Sequence, residues 1–426
     1  MDSLDVDPTR KLHVVAMPYP GRGHINPMMN LCKLIASRRA YIVITFIVTE
    51  EWRGFLSSDS KPANIRFRTI PNVIPSELVR AKDFPGFQKA TVTEMEAPVE
   101  QLLDQLEPPK PSVIIYDIYL GWVVGLGSRR NIPVASLWTM SAVVFSMFHH
   151  YDILVQNGHV PANLSERGKE IIDYIPGVAS TLIADLPTFL KLHDKGLDQV
   201  LYRAMDAISR VPNAQYLLFT SFYELERQVI DTLKPKFSLP IYSIGPAIPY
   251  FEFGDNRSPI TGHSEPDYMK WLDVQPRGSV LYISQGSFLS VSSAQLDEIV
   301  AGIHDSGVRY LWVARGEISR FKEGGGDRGL VVPWCDQLKV LCHSSVGGFW
   351  SHCGWNSTKE AIFGGVPVLT FPIFWDQIPN SKRITEDWKI GWRVKREEAD
   401  ETVMTREEMV DLCRGLWSWK VMRGKK

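Results

Sequence analysis

Residues 334–377 read WCDQLKVLCHSSVGGFWSHCGWNSTKEAIFGGVPVLTFPIFWDQ and concentrate chemically informative side chains in one short stretch. Apolar runs at residues 329–333, 346–349 and 366–371 predict three short strands with helices between them. Polar residues follow each of these runs, and ligands of α/β proteins bind at the carboxyl ends of parallel strands. The stretch therefore predicts a strand-helix-strand frame with a binding site at one edge.

The two ends of this stretch carry side chains that suit a nucleoside and a sugar. Trp334 offers a flat ring that can stack on a nucleobase, and Gln337 offers both a donor and an acceptor to a uracil edge. Glu360 lies on the predicted helix, where its carboxylate can accept hydrogen bonds from ribose hydroxyls. Asp376 and Gln377 close the stretch with short polar side chains that suit the hydroxyls of a sugar.

The middle of the stretch predicts an anion site. Asn356 and Ser357 begin a predicted helix, and Gly354 just before them allows the backbone to come close to a ligand. The N-terminus of a helix presents N–H groups and a partial positive charge, to which His352 and Ser357 add side-chain donors. A diphosphate can be held there without a metal ion.

A zinc site is the alternative for this stretch, because cysteines and histidines cluster in it. The residues concerned are Cys335, Cys342, His343, His352 and Cys353. They show neither CxxC nor HxxxH spacing, and two of the Cys–His pairs are adjacent in sequence, which is unlike typical zinc ligands. We therefore expect no metal and no cofactor beyond the nucleotide sugar as co-substrate.

The composition is that of a globular protein with more than one domain. The chain has 426 residues, which predicts two or three domains, and its hydrophobic content of 44% is enough for two cores. The net charge of -1 gives no broad basic field for nucleic acid or an anionic membrane. The N-terminus is polar and acidic, and the longest weakly polar run, residues 133–148, is too short to span a bilayer. None of the five cysteines forms a CxxC pair, so we expect reduced thiols in a cytoplasmic protein. We also expect a monomer without stable membrane insertion.

A β-α-β rhythm runs through both halves of the chain. In the first half, Leu12–Met17 and residues 41–48 predict strands on either side of a helix at residues 27–38. The rhythm restarts near Leu281, after a stretch rich in proline, glycine and polar residues. The predicted parts are an N-terminal domain at residues 1–244, a linker at residues 245–263 and a C-terminal domain at residues 264–426.

Two titratable residues follow predicted strands of the first half. His24 lies in the loop PGRGHINP directly after the strand Leu12–Met17, and Asp117 follows a strand at residues 113–116. Both therefore lie at the carboxyl end of a strand. A neutral histidine can take the proton of an attacking hydroxyl, and a carboxylate can fix the tautomer of that histidine. We therefore expect His24 to be a general base assisted by Asp117.

The stretch 334–377 and the GxGHxxP loop at residues 21–27 together resemble plant family-1 UDP-glycosyltransferases. The resemblance extends over residues 12–414. It implies an α/β fold of the GT-B type, in which two doubly wound Rossmann-like domains face a central cleft. It also implies inverting transfer of glucose from UDP-glucose to a hydroxyl or carboxyl group of a small lipophilic acceptor, such as a plant secondary metabolite, hormone or xenobiotic.

The resemblance assigns roles to individual residues. The implied donor-binding residues are Thr139, Ser287, Trp334, Cys335, Gln337, His352, Trp355, Asn356, Ser357, Glu360, Asp376 and Gln377. The implied acceptor-binding residues are Gly23, Phe84, Phe87, Met147, Phe148 and Phe189, for whose apolar side chains core packing is the alternative. Trp355 and Gln377 correspond to the glucose-using pattern of the family, whereas Gln285 stands where the family usually has phenylalanine.

The resemblance ends near Arg414. Members of the family usually continue for several dozen residues, whereas the last residues here, LWSWKVMRGKK, are basic and show no periodic pattern. A shortened C-terminus is expected, and it leaves a second hypothesis open, a catalytically weak or inactive UDP-sugar-binding regulatory protein. A glycoside hydrolase is disfavoured, because it needs a pair of carboxylates that flank the scissile bond.

Overall fold

The computed structural model shows two α/β units, each built on a parallel β-sheet. It describes residues 11–56, 61–191, 195–250, 266–286, 292–314, 328–394 and 404–423, without the side chains of residues 195 and 417–423. Of these, the first unit takes the residues within Met1–Asn163, Glu170–Ile183 and Phe189–Gly254. The second unit takes those within Leu164–Lys169, Ala184–Thr188 and Asp255–Lys426. Two short segments from the first half of the chain therefore belong to the second unit.

The first unit contains a seven-stranded sheet and a small two-stranded one. The strands are β1 (Leu12–Met17), β2 (Ile42–Thr49), β3 (Ile65–Ile70), β4 (Val113–Asp117), β5 (Val134–Trp138), β6 (Ile171–Ile172), β7 (Thr181–Leu182), β8 (Tyr216–Phe219) and β9 (Ile241–Ser243). The large sheet has the order β3-β2-β1-β4-β5-β8-β9, with all neighbours parallel. This is the Rossmann order, in which the winding reverses between β1 and β4. The strand β2 reads IVITFIVT, a β-branched run typical of a strand buried on both faces.

Helices cover the faces of the first sheet. The helices in the first half of the chain are α1 (Arg22–Arg38), α2 (Glu50–Phe55), α3 (Phe84–Thr93), α4 (Glu96–Asp104), α5 (Trp122–Arg130), α6 (Ala142–His149), α7 (Tyr151–Gln156), α8 (Leu164–Arg167), α9 (Thr188–Lys191), α10 (Lys195–Ser209) and α11 (Tyr223–Leu233). On α1, Ile25, Met28 and Cys32 recur at helical spacing and are fully buried in one apolar cluster with Val14 and Phe46. This packing fixes α1 against the sheet directly after β1.

The second unit repeats the same topology with six strands. These are β10 (Val280–Ser284), β11 (Arg309–Val313), β12 (Gly329–Val332), β13 (Val346–Ser351), β14 (Val368–Thr370) and β15 (Gly391–Arg393). Their order is β12-β11-β10-β13-β14-β15, again with parallel neighbours. The winding reverses between β10 and β13, which places the expected ligand edge beside the ends of these two strands.

The central strand of the second sheet is buried on both of its faces. The helices of this part of the chain are α12 (Asp267–Asp273), α13 (Ser293–Ser306), α14 (Gln337–Leu341), α15 (Trp355–Gly364), α16 (Gln377–Lys382) and α17 (Arg406–Arg423). Along β10, Val280 and Tyr282 belong to one apolar cluster, and Leu281 and Ile283 belong to another. Successive side chains of a strand point to opposite faces, so helices pack on both sides of this sheet.

The structure confirms the predicted α/β fold with two Rossmann-like sheets, but not the path of the chain at His24. We predicted a loop there and a helix from residue 27, a position that would place Pro27 at the start of the helix, where proline is favoured. Instead, α1 begins at Arg22, and His24 lies in its first turn. Pro27 lies inside the helix, where it cannot donate the usual hydrogen bond to the carbonyl of Gly23.

The basic stretch from Leu416, whose sequence shows no periodic pattern, is helical for the residues that the structure describes there. The helix α17 continues to Arg423, and Met409, Cys413 and Leu416 are buried along it. Gly302 of α13 has no room for a side chain, because a Cβ there would come within 2.4 Å of the Cβ of Met409. Close packing of α13 and α17 follows from this glycine. None of the helices in the described ranges is both long enough and apolar enough to cross a bilayer.

Candidate active site

The first unit holds a histidine–carboxylate pair at the point where its sheet reverses winding. His24 follows β1 and Asp117 ends β4, and these two strands are hydrogen-bonded neighbours. Nδ1 of His24 lies 2.7 Å from Oδ2 of Asp117, and the backbone N–H of Tyr119 donates to Oδ1 at 3.1 Å. The carboxylate is almost fully buried, whereas the imidazole keeps 20% of its side-chain surface exposed. Because Nδ1 donates to the carboxylate, Nε2 is the nitrogen that can accept a proton.

Thr139 lies against the same imidazole. It directly follows β5, and its Oγ1 is 3.1 Å from Nδ1 of His24. The resemblance assigns Thr139 to the donor sugar, and the structure places its hydroxyl beside Nδ1 of His24. The side chain of Thr139 is buried, so it restricts the rotation of the histidine ring.

Aromatic rings surround His24, and the sequence reasoning missed them. The ring centroids of Tyr19 and Tyr119 lie 5.1 Å and 5.9 Å from that of His24, and Trp138 lies 5.9 Å from Tyr119. All three rings are buried, and burial raises the pKa of Tyr19, so its phenol stays neutral. The signal that could have found them is their position, since each lies at or just past the carboxyl end of β1, β4 or β5.

The predicted acceptor residues lie in the first unit and are mostly buried. Phe87 packs its edge against Tyr19 at 6.2 Å, and Phe148 lies 6.4 Å from Trp138, so both touch the aromatic rings near His24. Met147 and Phe189 are also buried, Phe84 is partly exposed and Gly23 is exposed in the first turn of α1. Their acceptor-binding role stays a prediction.

Arg80 is a further residue that the sequence reasoning missed. Its buried guanidinium donates from Nη1 to the carbonyl of Pro20 at 3.2 Å and pairs with Glu77 at 3.1 Å. A Cβ on Gly21 would lie 2.3 Å from the same Nη1, so glycine is required for this close approach. The backbone N–H of His24 in turn donates to the carbonyl of Gly21 at 3.0 Å. Arg80 therefore fixes the turn that leads into α1 and His24.

The second unit carries the predicted donor residues of the stretch 334–377, which begins just after β12. Trp334 exposes 62% of its surface, whereas Cys335 next to it is buried in the core. Because the buried side chain of Cys335 anchors the backbone, the ring of Trp334 is held in a position exposed to solvent. An exposed tryptophan at the carboxyl end of a strand fits the predicted stacking platform for a nucleobase.

A chain of hydrogen bonds connects the core of the second unit to Glu360. Burial raises the pKa of Tyr282, so its hydroxyl is a donor, and it donates to Oε1 of Gln337 at 3.2 Å. This bond turns Nε2 of Gln337 towards Ser357 at 3.0 Å and towards Oε2 of Glu360 at 2.7 Å. The structure thereby brings together three predicted donor residues and identifies Tyr282 as the buried group that orients them.

The carboxyl group of Glu360 is perturbed by its surroundings. Burial raises its pKa to about 7, and the hydrogen bond from Gln337 and the nearby charge of Lys359 only partly oppose that shift. A carboxyl group with such a pKa changes its charge near neutral pH. Strongly perturbed carboxyl groups in a binding region are typical of functional sites.

His352 occupies a slot between two glycines beside the N-terminus of α15. A Cβ on Gly286, or one on Gly354, would lie 2.6 Å from Nε2 of His352. The N-cap of α15 is Gly354, which has no side chain to cap this end of the helix, and the free N–H groups of a helix N-terminus can bind an anion. Asn356 and Ser357 lie in that turn, as predicted for an anion site, and Trp355 is buried next to them. Ser287 lies outside the described residues.

The loop before α16 holds the last two predicted donor residues. Oε1 of Gln377 accepts from the backbone N–H groups of Ile373 and Phe374 at 2.8 Å and 2.9 Å. Nε2 of Gln377 has no hydrogen-bond partner in the described part of the chain, so it is available to donate to a ligand. Asp376 is buried, and its Oδ2 accepts from Nδ2 of Asn380 at 2.8 Å.

The clustered cysteines and histidines do not form a metal centre in the part of the chain that the structure describes. No group of three or more His, Cys, Asp or Glu side chains there could hold an ion. All five cysteines are free thiols, and Cys335 and Cys353 are buried, whereas Cys342 is exposed. The absence of a cofactor in the reaction stays a prediction.

Two Rossmann-order sheets, one with a histidine–carboxylate pair and one with a nucleotide-sugar signature, define a glycosyltransferase of the GT-B class. The family model described as UDP-glucoronosyl and UDP-glucosyl transferase matches residues 259–411. The chain is 52% identical to UDP-glycosyltransferase 87A2 of Arabidopsis thaliana over 426 residues, which cover 100% of this chain and 92% of that protein. It belongs to the UDP-glycosyltransferase family, and it is an enzyme that transfers a glycosyl group.

Solved structures of plant enzymes share the fold. Os79 from O. sativa, in complex with U2F and trichothecene, is 26% identical with a TM-score of 0.80, covering 95% of this chain and 90% of that one. Phytolacca americana UGT2, complexed with UDP-2fluoro-glucose and pterostilbene, is 25% identical with a TM-score of 0.77, covering 95% and 89%. The predicted family is therefore confirmed along nearly the whole chain.

Proposed function

We propose that this protein transfers glucose from UDP-glucose to a hydroxyl or carboxyl group of a small lipophilic acceptor, with inversion at the anomeric carbon. The observation that carries the proposal is the bond of 2.7 Å between Nδ1 of His24 and Asp117. It holds the imidazole in the tautomer whose Nε2 can accept a proton. The second hypothesis, a UDP-sugar-binding protein without catalysis, gives this pair no task.

The proposed reaction is a single displacement. Nε2 of His24 takes the proton of the acceptor, whose oxygen forms a bond to the anomeric carbon as the bond from that carbon to the phosphate oxygen breaks. UDP leaves with the electron pair of the broken bond, and Asp117 stabilises the imidazolium that forms. Asp117 is buried and already bonded to His24 and to the N–H of Tyr119, so it is not available as a nucleophile for a second displacement. One displacement inverts the configuration.

The donor is proposed to bind along the second unit. Trp334 stacks on uracil, and Glu360 accepts from the ribose hydroxyls. The diphosphate lies at the N-terminus of α15 beside His352, where N–H groups and the helix dipole stabilise negative charge. Gln377 donates to a hydroxyl of the hexose, because its oxygen is already held by two backbone groups.

The acceptor is proposed to be flat and apolar. His24 is bordered by the buried rings of Tyr19 and Tyr119, which favour an aromatic or alicyclic partner. The structural relatives named above were solved with pterostilbene and with trichothecene, and both likenesses cover 95% of this chain. These observations support a lipophilic acceptor with one reacting polar group.

A mass-spectrometric screen with isotope-labelled UDP-glucose tests this function. The protein is incubated with a panel of phenols, alicyclic alcohols and aromatic carboxylic acids, and labelled products are sought. Proton magnetic resonance of a product should show the β-anomer, since the donor is the α-anomer. Binding of UDP-glucose without any glucosylated product would favour the non-catalytic hypothesis, and an α-linked product would exclude the single displacement.

The affinity for UDP-glucose is expected to fall about tenfold between about pH 8 and about pH 6. Because the pKa of Glu360 is raised to about 7, its carboxyl group is ionised at the higher pH and protonated at the lower one. Only the ionised form can accept from both ribose hydroxyls, so protonation competes with the donor. UDP-glucose carries no phosphate monoester that titrates in this range, and calorimetry at several pH values measures the slope.

Glu360→Gln is the control for this pH dependence. The amide cannot titrate, so the variant should bind UDP-glucose more weakly and with a flat pH profile. An unchanged slope in the variant would assign the pH dependence to a group other than Glu360.

A further inference from the structure

The second unit includes a segment that lies far away in sequence. Residues Ala184–Thr188 follow β7 in the first half of the chain, but they belong to the unit that carries the donor residues. Asp185 in this segment is buried, and its Oδ1 pairs with the guanidinium of Arg393 on β15 at 2.9 Å. This ion pair anchors the segment, because loss of Arg393 would leave the buried carboxylate of Asp185 without its charged partner.

Thr188, the last residue of this segment, holds both backbone groups of Trp375. Its N–H donates to the carbonyl of Trp375 at 3.2 Å, and its Oγ1 accepts from the N–H of Trp375 at 3.0 Å. Thr188 is almost fully buried, so water does not compete for these bonds. A double contact from one residue fixes the position and the direction of the peptide at Trp375.

The backbone at Trp375 is in an unusual conformation. Its φ angle is +61°, in the left-handed region that bulky residues rarely adopt. Such a conformation persists only where the surroundings hold it in place, and it is often found where function requires it. Thr188 supplies bonds on both sides of this residue, so it stabilises the strained turn.

The turn at Trp375 leads directly into the predicted sugar-binding residues. Asp376 and Gln377 follow it at the start of α16, and Gln377 closes the loop by accepting from the N–H groups of Ile373 and Phe374. The direction of both side chains therefore depends on the backbone that Thr188 holds.

We infer that Thr188 is a specificity-determining positioning residue, which aims Asp376 and Gln377 at the hexose of a UDP-hexose donor. The inference rests on the proposed function for the identity of the ligand. Glucose and galactose differ in the orientation of one hydroxyl, so discrimination between them requires short polar side chains in fixed positions. Thr188 acts on the hexose through Trp375 and not by direct contact.

Binding of UDP, UDP-glucose and UDP-galactose to Thr188→Val tests this inference by calorimetry. Valine keeps the shape and the backbone N–H of residue 188 but removes the acceptor for Trp375. The preference for UDP-glucose over UDP-galactose should fall about three- to tenfold, the effect of one lost hydrogen bond. The affinity for UDP itself should be unchanged, since the hexose contacts are the ones that move.

Two control variants show whether the effect of Thr188→Val is specific to the hydroxyl of Thr188. Thr188→Ser keeps the acceptor and should restore the preference for glucose. Thr181→Val removes a buried hydroxyl that has no partner among the described residues, and it should leave all three affinities unchanged. If Thr188→Val does not fold, Asp185→Asn replaces it in the same assay, because it weakens the anchor of the same segment.

An unchanged glucose preference in folded Thr188→Val would overturn the inference. A parallel loss of UDP affinity would also overturn it, since that would show a general role in stability. Hexose discrimination that depends on Thr188, in a protein that transfers no sugar to any acceptor, would uphold this inference and overturn the proposed function.

Discussion

Replacing His24 by alanine is expected to lower kcat by about a hundred- to ten-thousand-fold, which is the usual contribution of a general base. Nε2 of this imidazole is proposed to take the acceptor proton. Among the described residues, His24 is the only side chain with a hydrogen bond to Asp117. The affinity for UDP-glucose should change little, because the contacts proposed for its uracil, ribose, diphosphate and hexose come from residues within 334–377. Single-turnover transfer to an acceptor from the screen, with calorimetry of the donor in parallel, measures both effects.

His159→Ala is the matched control for this loss. His159 also lies in the first unit and bonds to a tyrosine, Tyr174, at 2.7 Å, but it is separate from the catalytic pair. Its replacement should leave kcat unchanged. If His24→Ala kept its rate of transfer, the base would have to be sought elsewhere and the proposed mechanism would be wrong.

Asp117→Asn is expected to reduce kcat by roughly a hundred- to ten-thousand-fold, although it changes only one atom. The new amide can present its N–H to Nδ1 of His24 and can still accept from the N–H of Tyr119. Nδ1 would then be an acceptor and Nε2 would carry the proton, so the base would have the wrong tautomer. The same single-turnover assay measures the loss, and calorimetry should find the donor affinity preserved.

Asp152→Asn is the matched control for this test, because it makes the same replacement at an exposed position. Asp152 lies on α7 and is exposed, so its change should have no effect on transfer. Near-normal activity of Asp117→Asn alongside an inactive His24→Ala would show that the carboxylate does not set the tautomer, and it would leave the base acting alone.

The sequence was sufficient to predict the two parallel sheets and the contact between His24 and Asp117, for a physical reason. Buried parallel strands are continuous apolar runs, and polar residues directly after them must lie at one edge of the sheet. His24 and Asp117 satisfy this rule, and β1 and β4 prove to be neighbours. The start of α1 was mispredicted because Pro27 favours a helix start, while the packing of Ile25 and Met28 against the sheet favours a longer helix.

Contacts between residues far apart in sequence could not be predicted in this way. The bond from Arg80 to Pro20 and the bonds between Thr188 and Trp375 join distant segments, and no periodic pattern in the sequence predicts that these segments meet. The role of Tyr282 was hidden as well, since a tyrosine in a strand is ordinarily read as core. Its hydroxyl matters only because Gln337 lies beside it.

The anchoring of Ala184–Thr188 in the second unit has a consequence for the construction of chimeric enzymes. A chimera joined near residue 255 takes Asp185 from one parent and Arg393 from the other, although both belong to one unit. The structure of its donor-binding half then depends on whether residues 185 and 393, which come from two different parents, can still form this ion pair. A chimera that exchanges the second half should therefore also exchange the segment Ala184–Thr188. The transplanted part is then defined by its contacts and not by its place along the chain.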